Sequence, residues 1–311
     1  MQMQDDMAEA TRLTRSGRLA EATALIQRTL GRSAGGAVDS GAPAAPPSDR
    51  FLHRRPAHRP GPDQAGGGPA TGRFLDASFT GAVGTLGYKL YVPGGYRGQA
   101  VPLVVMLHGC TQTGADFAAG TRMNQLAERD TFLVAYPEQA GAANQRRCWN
   151  WFLPAHQRRG AGEPSLLAGI TRQVMATHQV DPGRVFAAGL SAGGAMAAVL
   201  AATYPDLFRA AGIHSGLAYG AAHDVSSAYA AMRDGPPARG PATRGTVPLI
   251  VFQGDRDTTV APANAAALLA PWSGSVRPEV VTAPGWTRRV YRDGDGRPSA
   301  DWWSAHRLLH A

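Results

Sequence analysis

Gly189-Leu190-Ser191-Ala192-Gly193 decides the reading of this chain, with the apolar run Arg184-Val185-Phe186-Ala187-Ala188 before it and the alanine-rich segment Met196 to Ala202 after it. The run before reads as a strand and the segment after as a helix. A serine between two glycines at such a junction fits a nucleophile elbow, a tight and strained turn that tolerates only small neighbours. Its hydroxyl would stand above a sheet edge, with the amino end of the following helix aimed at the same point.

Working outward, strands and helices alternate. Leu86 to Val92 reads as a strand, and Pro102 to His108 as one buried on both faces. Ala115 to Arg129 suits a helix, Thr131 to Tyr136 a strand and Ser165 to His178 a helix. The turn Asp181-Pro182-Gly183 then leads into the elbow strand. Beyond the elbow, Ala210 to His214 and Val247 to Gln253 read as strands, Ala263 to Leu269 as a helix and Thr287 to Arg292 as a late strand. This order predicts an α/β fold with a doubly wound, mostly parallel sheet. Ala222 to Thr246, with Pro236, Pro237 and Pro241 among small residues, reads as a surface excursion.

Residues 1–30 form an amino-terminal extension in which Met7 to Leu30 reads as an amphipathic helix interrupted at Gly17. Residues 31–72 are rich in Gly, Ala, Pro and Arg, too poor in large apolar side chains to offset their chain entropy, and read as a disordered linker. The catalytic body is placed at 73–311.

The chain has 311 residues, of which 44% are hydrophobic, enough for a sizeable core. No apolar run approaches a membrane span, and Met1 to Ala10 is polar and acidic, without a signal-peptide apolar stretch. The net charge of +8 comes almost wholly from scattered arginines, Lys89 being the only lysine. No basic stripe is interleaved with aromatics, so neither nucleic acid nor membrane is the expected partner.

A serine nucleophile needs a base, and the base an orienting acid. In hydrolases with this elbow the chain order is serine, acid, histidine. The acid belongs after a later buried strand, where Gly254-Asp255-Arg256-Asp257-Thr258-Thr259-Val260 follows Val247 to Gln253. Asp257 suits the loop facing the elbow, and Asp255 suits a turn. Only His306 and His310 lie downstream as candidates for the base. The oxyanion needs two backbone N–H groups, one from Ala192 and one from the turn His108-Gly109-Cys110 after the first buried strand. Trp149 and Trp151 are candidates for an apolar wall against an acyl chain, with one of the two expected in the core. No His/Cys cluster has zinc spacing, and the chemistry calls for no metal or organic cofactor.

Together, His108-Gly109-Cys110-Thr111-Gln112, Cys148-Trp149-Asn150-Trp151-Phe152, Gly189 to Gly194 and Gly254 to Val260 resemble the polyhydroxybutyrate depolymerase family of esterases. That family also holds feruloyl and acetylxylan esterases. The likeness runs from about Tyr88 to the end, and Ala8 to Leu13 looks like an extension found in some members. The resemblance implies an α/β-hydrolase fold and ester hydrolysis through an acyl-enzyme on short-chain hydroxyalkanoate esters. It implies Ser191 as nucleophile, Asp257 as acid, Cys110 and Ala192 as oxyanion donors, and a disulfide between Cys110 and Cys148. His310 aligns with the family's base, while Arg307 and Leu309 stand where the family has glycines. The family's final helix has no counterpart before Ala311, so the domain reads as cut short at its carboxyl end. The alternatives are feruloyl or acetylxylan esterase activity, or a hydrolase-fold protein impaired in turnover. Family members are commonly exported, which implies an extracellular protein; a cytoplasmic one is the alternative.

Overall fold

The computed structural model describes residues 72–236, 247–273 and 277–310. The helix expected over 7–30 and nearly all of the linker expected over 31–72 lie outside the described residues.

Ten strands among the described residues form one sheet in the order β1-β2-β4-β3-β5-β6-β7-β10-β9-β8. They are β1 (Arg73–Gly81), β2 (Gly84–Val92), β3 (Val101–Leu107), β4 (Leu133–Glu138), β5 (Val180–Leu190), β6 (Ala210–His214), β7 (Leu249–Gly254), β8 (Glu279–Ala283), β9 (Trp286–Arg292) and β10 (Pro298–Ala305). The centre, from β4 through β10, is parallel. The flanks are antiparallel, with β1 and β2 at one edge and β9 and β8 at the other. The doubly wound parallel core therefore sits inside a mixed sheet.

Six α-helices are described: α1 (Gly114–Thr121), α2 (Met123–Asp130), α3 (Gly162–Thr177), α4 (Ala192–Thr203), α5 (Val225–Asp234) and α6 (Ala263–Ser273). They cover both faces, and β3 shows how alternation serves both. Leu103, Val105 and Leu107 point into the larger core with Leu167, Met196 and Leu200 of α3 and α4. Met106 points the other way, into a smaller core with Phe117, Ala118 and Ala127 of α1 and α2. A buried leucine or valine of this kind contributes about 1.5–3 kcal/mol, so β3 anchors both layers. α4 buries ten consecutive residues, Ala192 to Ala201, and its small side chains let it lie close on β5 and β6.

Local chemistry changes several boundaries. The helix expected over Ala115 to Arg129 is two helices, broken at Arg122, whose φ of 52° is left-handed. Thr113 and Asp116 close a reciprocal cap at the start of the first. Asp181-Pro182-Gly183 does turn, with the Gly183 N–H donating to Asp181 Oδ1 at 2.8 Å. It does so as a bulge inside β5: Val101 pairs with Val180 and Leu103 with Val185. Part of the stretch expected as an irregular excursion is α5, nucleated by the Asp224–Ser227 capping box. β1, β8 and β10 went unexpected. β10 formed because Pro298 to Ala305 docks parallel to β7 and antiparallel to β9, a pairing that alternation within the segment does not announce.

Candidate active site

Ser191 lies between β5 and α4 with φ 55° and ψ −119°, outside the regions open to most side chains. Two backbone bonds hold the strain. The Ser191 N–H donates to the His214 carbonyl at 2.9 Å, and the Ser191 carbonyl accepts from Ala195 at 3.0 Å. Gly193 is required by close approach, since a Cβ there would sit 2.1 Å from the Leu107 carbonyl oxygen. The elbow is thus pressed against the end of β3, beside the next loop of the site.

That loop begins at His108, which is fully buried. Its Nδ1 is 2.7 Å from the Gly109 carbonyl, and its Nε2 accepts the Gln139 N–H at 3.1 Å. A ring that accepts at Nε2 and donates at Nδ1 is neutral, and burial lowers its pKa accordingly. His108 is therefore a brace. The N–H groups of Gly109, Thr111 and Gln112 find acceptors in Gln112 Oε1, the Arg146 carbonyl and the Gly109 carbonyl. The Cys110 N–H has no acceptor among the described residues. The Ala192 N–H belongs to the first turn of α4, where intrahelical acceptors are lacking.

Cys110 is bonded to Cys148, tying this loop to the tryptophan loop. Trp149 has no exposed surface and donates from Nε1 to the His108 carbonyl at 3.1 Å. Trp151 is only 5% exposed and packs edge-on against Phe152. Both indoles are core residues, where one was expected to line a substrate wall. Trp149 cannot form such a wall: its ring is spent filling the space under the His108 loop. Under them lies the buried carboxylate of Glu163, which the sequence did not flag. It accepts from Gln139 Nε2, from Asn150 Nδ2 at 2.7 Å and from the Asn150 N–H at 2.8 Å.

Asp257 follows β7 and its side chain is fully buried, while that of His310 is 20% exposed. His310 Nδ1 is 2.8 Å from Asp257 Oδ2, leaving Nε2 as the nitrogen that can face a hydroxyl. Asp257 Oδ1 accepts from the Thr259 N–H at 2.9 Å and the Val260 N–H at 2.8 Å. Burial works to raise the Asp257 pKa, but the Val260 N–H, His310 and Ser215 together outweigh it, and the net direction is down. The carboxylate is thus held ionised in a buried place. His214, at the end of β6, has its pKa lowered by burial and then by the charge of His310.

The tail reaches Asp257 through specific bonds. The Arg307 N–H donates to Asp255 Oδ1 at 2.6 Å, and the Arg256 N–H to the Leu308 carbonyl at 3.0 Å. Asp255 is a turn and tether residue. His306 is engaged elsewhere, its Nε2 3.0 Å from Thr287 Oγ1. Arg307, where the resemblance has glycine, takes a φ of 62°, so the backbone keeps the shape without the residue that prefers it. Gly254 leaves room for the tail: a Cβ there would lie 2.4 Å from the Leu308 carbonyl. Gln253 and Ser215, both buried next to Asp257, went unread in the sequence; a polar residue closing a buried apolar strand was the available signal.

Residues 86–277 match the family described as esterase PHB depolymerase. The chain is 35% identical over 244 residues to poly(3-hydroxyalkanoate) depolymerase C of Paucimonas lemoignei, covering 73% of this chain and 58% of that protein. It is 30% identical over 217 residues to feruloyl esterase B of Thermothelomyces thermophilus, covering 62% of this chain and 74% of that one. In fold it is similar to the acetyl xylan esterase from Aspergillus awamori, at a TM-score of 0.65 and 22% identity over 77% of this chain and 94% of the other. The fold is that of the α/β hydrolases, and the chain belongs to the esterase PHB depolymerase family.

Proposed function

We propose that this chain is a serine carboxylesterase acting on short-chain hydroxyalkanoate esters. The observation that carries the reading is the 2.8 Å contact between His310 Nδ1 and the buried, ionised Asp257. It orients the imidazole with Nε2 left for a hydroxyl, and Asp257 follows β7 at the same end of the parallel sheet where β5 ends in the strained Ser191. Ser191 Oγ attacks the ester carbonyl while His310 Nε2 takes its proton. Asp257 holds the tautomer and stabilises the imidazolium. The tetrahedral oxyanion accepts from the N–H groups of Cys110 and Ala192. His310 then returns the proton to the leaving alcohol. A water, deprotonated by the same nitrogen, attacks the acyl-enzyme, releasing the acid and restoring Ser191.

The names of the relatives favour a second reading, feruloyl esters or acetylated xylan as substrate. The Cys110–Cys148 bond fits an oxidising compartment and hence an extracellular protein. No helix among the described residues is long and apolar enough to cross a membrane, and no nucleic-acid partner is part of this reading.

A fluorophosphonate probe tests the chemistry. Wild type labels and Ser191→Ala does not; an unlabelled wild type overturns the esterase reading. Initial rates on hydroxybutyrate oligomers, methyl ferulate and acetylated xylan then separate the substrate classes.

A further inference from the structure

A carboxylate has about four lone-pair positions, and four donors occupy those of Asp257. Thr259 and Val260 fill Oδ1 from the backbone, while Gln253 Nε2, at 3.0 Å, shares Oδ2 with His310. Gln253 is an end residue of the buried strand β7 and is 2% exposed. Its Nε2 also donates to the Val260 carbonyl at 2.9 Å, which fixes which end of the amide faces the acid. Its Oε1 is left buried without a partner among the described residues.

Ser215 is the second unusual group. It is fully buried with a left-handed φ of 48°, and its N–H donates to the Phe252 carbonyl at 2.9 Å. Because His214 pairs with Phe252 across β6 and β7, Ser215 and Gln253 are neighbours at the ends of adjacent strands. The Ser215 hydroxyl is buried without a hydrogen-bond partner among the described residues. An apolar core would exclude two such atoms, since each buried polar group without a partner is destabilising. The preceding residue, His214, accepts the Ser191 N–H at 2.9 Å. One short backbone path therefore joins the nucleophile's turn to the acid.

We propose that Gln253 is a positioning residue for the acid of the triad. Gln253 aims Oδ2 at the imidazole. The proposal rests on the esterase reading above.

The test is kcat and KM on p-nitrophenyl butyrate for Gln253→Met and Gln253→Glu, with the fluorophosphonate label and a thermal melt for each. Gln253→Met, of similar volume but without a donor, lowers kcat about tenfold with KM within about twofold. Gln253→Glu sets a second buried carboxyl against Asp257, where the two share one proton. The protonated Glu still donates to Oδ2, so it keeps more kcat than Gln253→Met, a rescue that a merely structural role would not give. Labelled wild type with Gln253→Met at wild-type kcat, or with Gln253→Glu no more active than Gln253→Met, overturns the positioning role alone. An unlabelled wild type removes the esterase reading and this proposal together.

Discussion

Residue-level chemistry here turns on charge held in buried places. Asp257 keeps a lowered pKa because hydrogen bonds, led by that from the Val260 N–H, overcome the opposing effect of burial. A depressed folded-state pKa gives stability that is present above the unfolded carboxylate range and lost as pH falls through the folded value. Acid titration by circular dichroism should show wild type losing stability below that range and Asp257→Asn losing less. In rate, Asp257→Asn should fall about 10³- to 10⁴-fold in kcat, because the amide favours the wrong imidazole tautomer; steady-state kinetics read this directly. Gly193 is the other sharp residue. A methyl at 2.1 Å from the Leu107 carbonyl has only backbone to displace, so Gly193→Ala should cost roughly 3 kcal/mol and lower the thermal midpoint.

At the level of elements, the turn after β3, which the proposed mechanism uses for the oxyanion, is built by what lies beneath it. β3 delivers His108, whose neutral ring links Gly109 to Gln139 after β4, and Trp149 supports the His108 carbonyl from below. Glu163, in the first turn of α3, gathers Gln139 and Asn150 into the same support. Glu163→Ala would strand three buried donors. We expect a loss of about 3 kcal/mol or more by denaturant unfolding, with kcat reduced through the displaced Cys110 N–H. The sequence put helices and strands in this order, but it did not show that α1 and α2 part at Arg122. Nor did it mark β10. An irregular break and an added edge strand both depend on neighbours far along the chain, so local pattern carries little of either.

For the whole molecule, one sheet and one covalent tie collect the site from distant segments. Cys110 and Cys148 are 38 residues apart, and closing a loop of that length stabilises by about 4 kcal/mol in the chain-entropy model. Reduction should lower the thermal midpoint, and it should lower kcat more than it raises KM, because the freed loop carries the oxyanion donor of the proposed mechanism. Melting curves and kinetics with and without reductant check both. Ser191 and Asp257 follow β5 and β7, which are separated in the sheet by β6. His310 arrives after β10, which pairs with β7. The parallel core therefore places all three segments at one end of the sheet.

By itself the sequence determined the parallel α/β core, the turn at Ser191 and the loop at Asp257. Each is written in a few adjacent residues: small side chains around a serine, an apolar run before it, an acid just past a buried strand. It left His306 and His310 as equals until a family pattern was invoked, and it left open which of Trp149 and Trp151 packs into the core. Tertiary structure gave each histidine its partner, Thr287 to one and Asp257 to the other. It alone put both tryptophans in the core and brought Gln253 to the acid. The physical reason is range: turns and strands are chosen by neighbours in sequence, whereas the partner of a buried polar group is chosen by whichever segment the sheet lays beside it.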